Sequence, residues 1–248
     1  MSENRKFSVL MSVYIKENPV FLEEAVESIL NQTLKPSEVV LVEDGPLTPE
    51  LYQVLEKLTA QSTIPIKRCP LEQNHGLGLA LQYGVLQCQY DVIARMDTDD
   101  IAVRDRFEQQ FNLMEEENLD LLGGHIAEFI DRPDEIVSYR RVPIKHEDIV
   151  VYQRMRSAFN HMTVMFKKEM VLKAGNYEDG LYMEDDLLWL NMISAGARTG
   201  NVDKILCKVR VGAGMFERRG GLRYLKLYRQ ARQRMHARGQ ISYGEYLK

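Results

Sequence analysis

The sequence predicts an α/β fold built on a mostly parallel central sheet flanked by helices. Three observations carry that expectation. Short apolar, β-leaning runs at 7–14, 38–42, 64–67 and 90–96 alternate with segments of helical spacing, the pattern of strands joined by crossover helices. The 248 residues are 45% hydrophobic and 27% charged, without repeats or low-complexity stretches, which is enough for a full-sized core. Polar and acidic residues gather where the apolar runs end, the edge at which such sheets bind ligands.

Residues 7–14 (FSVLMSVY) read as a buried strand. Asn18-Pro19 opens a helix, Pro being suited to a first turn. Phe21, Leu22, Ala25, Val26, Ile29 and Leu30 then follow helical spacing up to Asn31-Gln32-Thr33. The second buried strand stops at Glu43-Asp44-Gly45-Pro46. Thr48-Pro49-Glu50 begins a helix with Leu51, Val54, Leu55 and Leu58 inward. After the weaker third strand, Asn74-His75-Gly76 leads into a helix expected to turn Leu77, Leu81, Val85 and Leu86 inward. The fourth strand delivers Asp97-Thr98-Asp99-Asp100.

The second half is less regular. A helix is expected near 104–117, apolar residues at 119–122 run into Gly123-Gly124, and a strand follows at 125–130. Asp131-Arg132-Pro133-Asp134 reads as a turn and 162–166 as β-like. A short helix at 168–174 closes at Gly175, and Glu184-Asp185-Asp186 opens another helix. A strand at 201–211, a glycine- and arginine-rich loop at 212–221 and a basic helix at 222–238 complete the chain. No linker interrupts residues 1–217, so they are expected to form one domain, with 218–248 as a basic helical extension.

The net charge of −4 hides a segregation. Residues 218–248 hold nine Lys/Arg and one acid, a net of +8, and the other 217 residues hold 23 basic and 35 acidic side chains, a net of −12. Nucleic acid would be repelled by that larger surface. The basic helix is interleaved with Leu222, Tyr224, Leu225, Leu227 and Tyr228, a composition that suits an anionic membrane surface as well as a solvated face. Cys69, Cys88 and Cys207 form no CxxC pair, which argues for reduced thiols in the cytoplasm. The polar start at Met1 and the lack of an apolar run near the roughly 20 residues of a span point the same way.

Two acidic clusters carry the chemistry. Three carboxylates within 97–100 repel one another unless a cation lies among them, and hard Mg²⁺ or Mn²⁺ prefers such oxygens. The octapeptide at 93–100 taken alone also fits a solvated acidic loop, with Asp100 capping the next helix. Glu184, Asp185 and Asp186 suit a helix N-terminus through the macrodipole, and equally a base held ionised on a rigid element. Gly76-Leu77-Gly78 is no dinucleotide fingerprint, because position 81 is Leu.

Taken in order, AVESILNQT at 25–33, EVVLVEDG at 38–45, Asn74-His75-Gly76-Leu77, Asp97-Thr98-Asp99-Asp100 and Glu184-Asp185 resemble the motifs of an inverting family-2 glycosyltransferase with the GT-A fold, across nearly the whole chain. Arg95-Met96-Asp97, HMTVMF at 161–166 and ERRGG at 217–221 resemble the branch that assembles amylovoran, capsule and O-antigen.

The resemblance implies a nucleotide-binding half at 1–100 and an acceptor half at 101–217. It implies that Val13, Tyr14, Glu43 and Asp44 hold uridine, with Asn74, Gly76, Arg95 and Thr98 beside the donor. Asp97 would lie at the ribose and metal, and Asp99 would coordinate Mn²⁺ or Mg²⁺. Asp185 would be the base and Glu184 its orienting neighbour. Arg218 and Arg219, on a loop that closes over substrate, would reach the diphosphate. His161 and Asp186 would contact the acceptor, although a histidine satisfied within the core fits position 161 equally well. The partners implied are a UDP-sugar and a lipid-linked or oligosaccharide acceptor at the cytoplasmic face of the inner membrane, with the basic helix as peripheral contact. Two alternatives remain at this point. A sugar nucleotidyltransferase of related fold would want a glycine-rich basic loop where this chain has Ile15-Lys16-Glu17-Asn18, and a non-catalytic sugar-nucleotide-binding protein would not need both Asp99 and Asp185.

Overall fold

A computed structural model describes residues 5–179, 183–212 and 221–247. Its first half is a run of parallel strands: β1 (Ser8–Val13), β2 (Glu38–Glu43), β3 (Ile66–Pro70) and β4 (Val92–Arg95), joined by α1 (Pro19–Leu30), α2 (Pro49–Gln61) and α3 (Leu77–Gln87). Every residue of β2 is buried, as expected of a parallel strand covered on both faces. Asn18 caps α1 by accepting from Val20 N, and Thr48 caps α2 by accepting from Leu51 N.

Beyond β4 the sheet becomes mixed. The later elements are β5 (Ile101–Ala102), α4 (Arg106–Glu116), β6 (Leu121–Phe129), β7 (Ile136–Arg140), α5 (His146–Gln153), β8 (Met165–Lys167), α6 (Lys168–Lys173), α7 (Glu184–Ser194), β9 (Thr199–Arg210), α8 (Gly221–Ala237) and α9 (Tyr243–Tyr246). The strand order is β3-β2-β1-β4-β8-β6-β9-β5, with β7 paired to β6. β8 is antiparallel to both β4 and β6, β9 is parallel to β6, and β5 is antiparallel to β9. The parallel expectation therefore describes the first half, and the second half bends the sheet into a mixed one.

Strand alternation supplies a core to each face. Val9, Met11 and Val13 of β1 join Leu22, Leu51, Phe107 and Leu206 on one side. Leu10 joins Leu81, Val85, Phe159, Tyr177 and Trp189 on the other.

Three local expectations are corrected. Gly123-Gly124 does not break a strand: β6 runs straight through, because a Cβ at Gly124 would lie 2.5 Å from Leu206 Cδ1 and only glycine lets β6 and β9 approach. Leu77 and Leu86 are exposed; α3 instead packs through Ala80, Leu81, Gly84 and Val85, and a Cβ at Gly84 would meet Leu10 Cδ1 at 2.4 Å. Asp100 caps no helix, since β5 follows it and its Oδ1 accepts from Arg210 N at 3.0 Å.

The basic extension folds back onto the body. Met235 and Ile241 pack on Leu187 and Leu190 of α7. Arg238 grips Glu178 through two hydrogen bonds of 2.6 and 2.9 Å, Arg234 donates to Asp179 O and Arg232 to Arg154 O. Leu225, Lys226 and Arg229 stay exposed. Among the described residues, no helix is long and apolar enough to cross a membrane.

Candidate active site

β4 ends beside β1, where Met96 N donates to Leu10 O, so the acidic loop leaves from the middle of the sheet. Asp97, Asp99 and Asp100 each bring a carboxylate oxygen within 4.8 Å of the others. Burial first, then the charges of Asp97 and Glu17, push Asp99 up to about 7. Burial first, then the charges of Asp99 and Asp97, raise Asp100 well above the usual range. These oxygens are hard donors crowded closely enough to repel one another, so a divalent ion such as Mg²⁺ or Mn²⁺ fits them. Thr98 is engaged elsewhere: its hydroxyl donates to Glu17 Oε2 at 2.6 Å, with Ser12 O 3.3 Å from the same oxygen.

Arg95, only 1% exposed, forms an ion pair with Asp97. Its Nε and Nη1 are buried without a hydrogen-bond partner among the described residues. Beneath it Arg106, fully buried, donates from Nη2 to Arg95 O at 2.7 Å and from Nη1 to the sulfurs of Met96 and Cys207. Burial lowers the Arg106 pKa and pushes the Cys207 thiol up to about 11. Arg106 thereby ties β4 to β9 under the acidic loop.

The second cluster lies within electrostatic reach of the first, and Arg95 acts on both. Glu184, Asp185 and Asp186 form the first turn of α7. Burial, followed by the charges of Asp186 and Glu184, raises Asp185 well above the usual carboxylate range, while the Asp186 backbone N–H and Arg95 act against the rise. Glu184 is also raised, first by burial, and Asp97 is among the charges acting on it while Arg95 opposes the shift. Carboxylates 87 positions apart in sequence thus share one field around a single buried guanidinium. Gly78 lets α3 lie against the start of α7, because a Cβ there would lie 2.5 Å from Glu178 O and 3.1 Å from Glu184 Cβ.

The strand ends that the sequence assigned to the nucleotide are tightly engaged. Asp44 Oδ1 accepts from His75 N at 2.7 Å; its Oδ2 accepts from Gly76 N at 3.0 Å and Asn74 Nδ2 at 2.9 Å. The carboxylate therefore shapes the turn that starts α3, and Gly45 at φ +86° lets that turn pass, a Cβ there being 2.7 Å from Asn74 N. Glu43 is held by Arg68 Nε at 2.6 Å. Val13 is buried and Tyr14 half-buried at the end of β1.

Asp186 points into the fold, where Gln153 Nε2 donates to it at 2.7 Å. His161 Nε2 is hydrogen-bonded to the Tyr177 hydroxyl at 2.9 Å, and its ring lies edge-on to Trp189. Burial, then Arg95, hold His161 well below its usual pKa, so it is neutral. Arg218 and Arg219 lie outside the described residues.

The sequence reading missed several residues here. Glu17 faces Thr98 and Asp99, Tyr177 closes on His161, and Arg210 hangs from Asp100. The Arg210 guanidinium lies 3.7 Å over the Phe21 ring and pairs with Glu24 at 2.7 Å.

Comparison with known proteins gives the family and the fold. The amylovoran biosynthesis glycosyltransferase AmsE of Erwinia amylovora is 43% identical over 221 residues, covering 89% of this chain and 82% of its own. The UDP-Gal:alpha-D-GlcNAc-diphosphoundecaprenol beta-1,3-galactosyltransferase of Escherichia coli is 35% identical over 243 residues, covering 98% and 87%. Among solved structures, the mannosyltransferase PcManGT from Pyrobaculum calidifontis, in complex with GDP-Man and Mn²⁺, superposes with a TM-score of 0.70 at 15% identity, over 93% of this chain and 64% of that one. The shared architecture is the GT-A fold. The model of the glycosyl transferase family 2 matches residues 8–173, two thirds of the sequence, and the chain belongs to that family.

Proposed function

We propose that this chain is a metal-dependent, inverting hexosyltransferase. In this reading it moves galactose, glucose or GlcNAc from a UDP-sugar to a lipid-diphosphate-linked saccharide, forming a β-linkage during bacterial surface polysaccharide synthesis. The observation that carries the reading is that one buried guanidinium, Arg95, pairs with Asp97 of the Asp97, Asp99 and Asp100 cluster and also acts on Glu184 and Asp185. A relative at 35% identity whose name specifies UDP-Gal and a diphosphoundecaprenol-linked GlcNAc supports the donor and acceptor classes.

Asp185 takes the proton of the acceptor hydroxyl as that oxygen attacks the anomeric carbon. The carbon–oxygen bond to the phosphate breaks on the opposite face, its electron pair leaves with UDP, and the anomeric centre inverts. The raised pKa of Asp185 makes it a stronger base once ionised. Glu184 orients the acceptor. Asp97 and Asp99 would hold the divalent cation, which neutralises the diphosphate's growing charge. Tyr14 and Val13 line the uridine, and Asp44 Oδ1, with one hydrogen bond made, keeps acceptor capacity for the uracil N–H. The catalytic unit is residues 1–217. Exposed Leu225, Lys226 and Arg229 of the extension meet the anionic cytoplasmic face of the membrane on which the acceptor resides.

The test is a screen of UDP-sugars against a lipid-linked GlcNAc-diphosphate analogue with Mn²⁺. UDP release is expected, abolished by chelation and by Asp99→Ala. Release of pyrophosphate from a sugar phosphate and UTP would instead favour a nucleotidyltransferase, and UDP binding without turnover on any acceptor a binding protein.

A further inference from the structure

β7 pairs only with β6 among the described residues, so its outer edge offers unpaired backbone groups. Such edges template pairing with another chain unless they are blunted. This one is apolar at its centre: Val137 is 55% exposed and Tyr139 63%. Its charges sit at the two ends and differ in sign, with Glu135 before the strand and Arg141 after it, both exposed.

We propose that this edge is a homodimer interface, in which β7 pairs antiparallel with β7 of a second copy of this chain about a two-fold axis at Ser138. The pairing of β7 with β6 skips Val137 between Ile136 and Ser138, which bends the strand near its start, and Glu135 and Arg141 flank the strand at its two ends. With the axis at Ser138, Glu135 lies opposite Arg141 of the second copy, and Val137 opposite its Tyr139. Each pair occurs twice, and both kinds stabilise antiparallel sheets. An axis at Val137 would leave Arg141 facing Pro133, and one at Tyr139 would set Arg141 against Val137, so the sequence favours one register. The remaining charges do not compete strongly. Asp134 is held by Lys208 at 3.1 Å, and Arg140 turns inward to Ser157 O. The Arg132–Glu135 pair is solvent-exposed on both sides, a class worth little. A second copy is favoured over a different partner because the strand is its own charge complement. The proposal does not depend on the chemistry assigned to the acidic site.

A single short strand with its flanks buries less than the ~1,600 Å² of a standard interface, so the dimer forms and dissociates with concentration in the micromolar range or above. Sedimentation velocity of the full chain should show mass rising with concentration from 28.7 kDa towards twice that value. Glu135→Arg or Arg141→Glu alone turns two attractive pairs repulsive and should weaken association about tenfold, whereas the double swap should restore it. Because the three native cysteines are buried, Ser138→Cys gives a clean second readout. Residues on the axis have Cα atoms about 4.5–5.5 Å apart, so this variant should cross-link to itself under mild oxidation and Tyr139→Cys much less. Unchanged thermal midpoints confirm that the variants are folded. A chain that stays monomeric throughout overturns the proposal, leaving the edge bare or to a different protein. So does a dimer indifferent to the charge swaps, or one that cross-links no better at 138 than at 139.

Discussion

In the proposed reaction Asp185 is the base, and its neighbours act on its proton affinity in opposite directions. Burial and the carboxylates at 184 and 186 raise it, while Arg95 and a backbone N–H keep the anion within reach. Asp185→Asn should cut turnover by about 10²–10⁴-fold, the usual worth of a general base, with donor affinity nearly unchanged. Initial rates paired with calorimetric UDP-sugar titration check this; a variant that loses affinity and turnover together would assign Asp185 to binding. Asp99 makes a different statement, about stability. Pushed up to about 7 in the fold, it returns to about 3.9 in an unfolded chain. Between those values the metal-free native state holds a proton the unfolded chain lacks, so stability is greatest at the acidic end of the window and falls as pH rises through it. The metal-free thermal midpoint should therefore drop from about pH 5 to about pH 8, and Asp99→Asn should flatten the drop. Parallel profiles for the two proteins would remove Asp99 as the cause.

At the scale of elements, α3 shows how two glycines two residues apart serve different ends. Gly76 has φ +87° with open space around it, whereas Gly78 has ordinary backbone and no room, with Glu178 O and Glu184 above it. Gly76→Ala should cost about 1 kcal/mol of backbone strain and leave turnover per folded molecule close to wild type. Gly78→Ala should cost about 1–3 kcal/mol of overpacking and also lower kcat, because α7 carries Asp185 and must shift. Thermal melts and kinetics on both variants check the contrast, and equal kinetic effects would sink it. The same elements show what the sequence made legible. Strands β1 to β4 and the helices between them follow from local alternation, and their acidic ends are visible as breaks in apolar runs. β6 was not legible as one strand, because Gly123-Gly124 is a turn signal unless one knows that Leu206 presses on it. The buried support of the site was hidden for the same reason. Arg106 reaches Cys207, Arg210 reaches Asp100, and Asp186 faces Gln153; each is a contact across more than 30 positions that no local pattern encodes.

For the whole molecule, the basic extension is read differently once α7 is seen in place. Leu187, Leu188, Trp189, Leu190 and Met192 bury α7 on all sides, and a helix apolar all round needs cover on every face. The sheet-facing core covers Leu188, Trp189 and Met192, and α8 with the segment after it covers Leu187 and Leu190. The charge segregation that suggested a membrane surface is partly spent inside the protein, on Glu178 and on the backbone carbonyls of Arg154 and Asp179. Ending the chain at residue 217 should therefore do more than remove a basic tail. Uncovering Leu187 and Leu190 forfeits about 1.5–3 kcal/mol for each side chain, which lowers the thermal midpoint by roughly 2–4 °C per kcal/mol in a chain of this size. By contrast Arg238→Ala, which removes a half-exposed ion pair, should cost no more than about 1 kcal/mol. Calorimetry of the truncated and point-substituted proteins separates the cases. A truncation that melts with the full chain would show that α7 stands without its cover and return the extension to the solvent. A truncation that unfolds early while Arg238→Ala does not would place the extension's contribution in Met235 and Ile241 rather than in its charge.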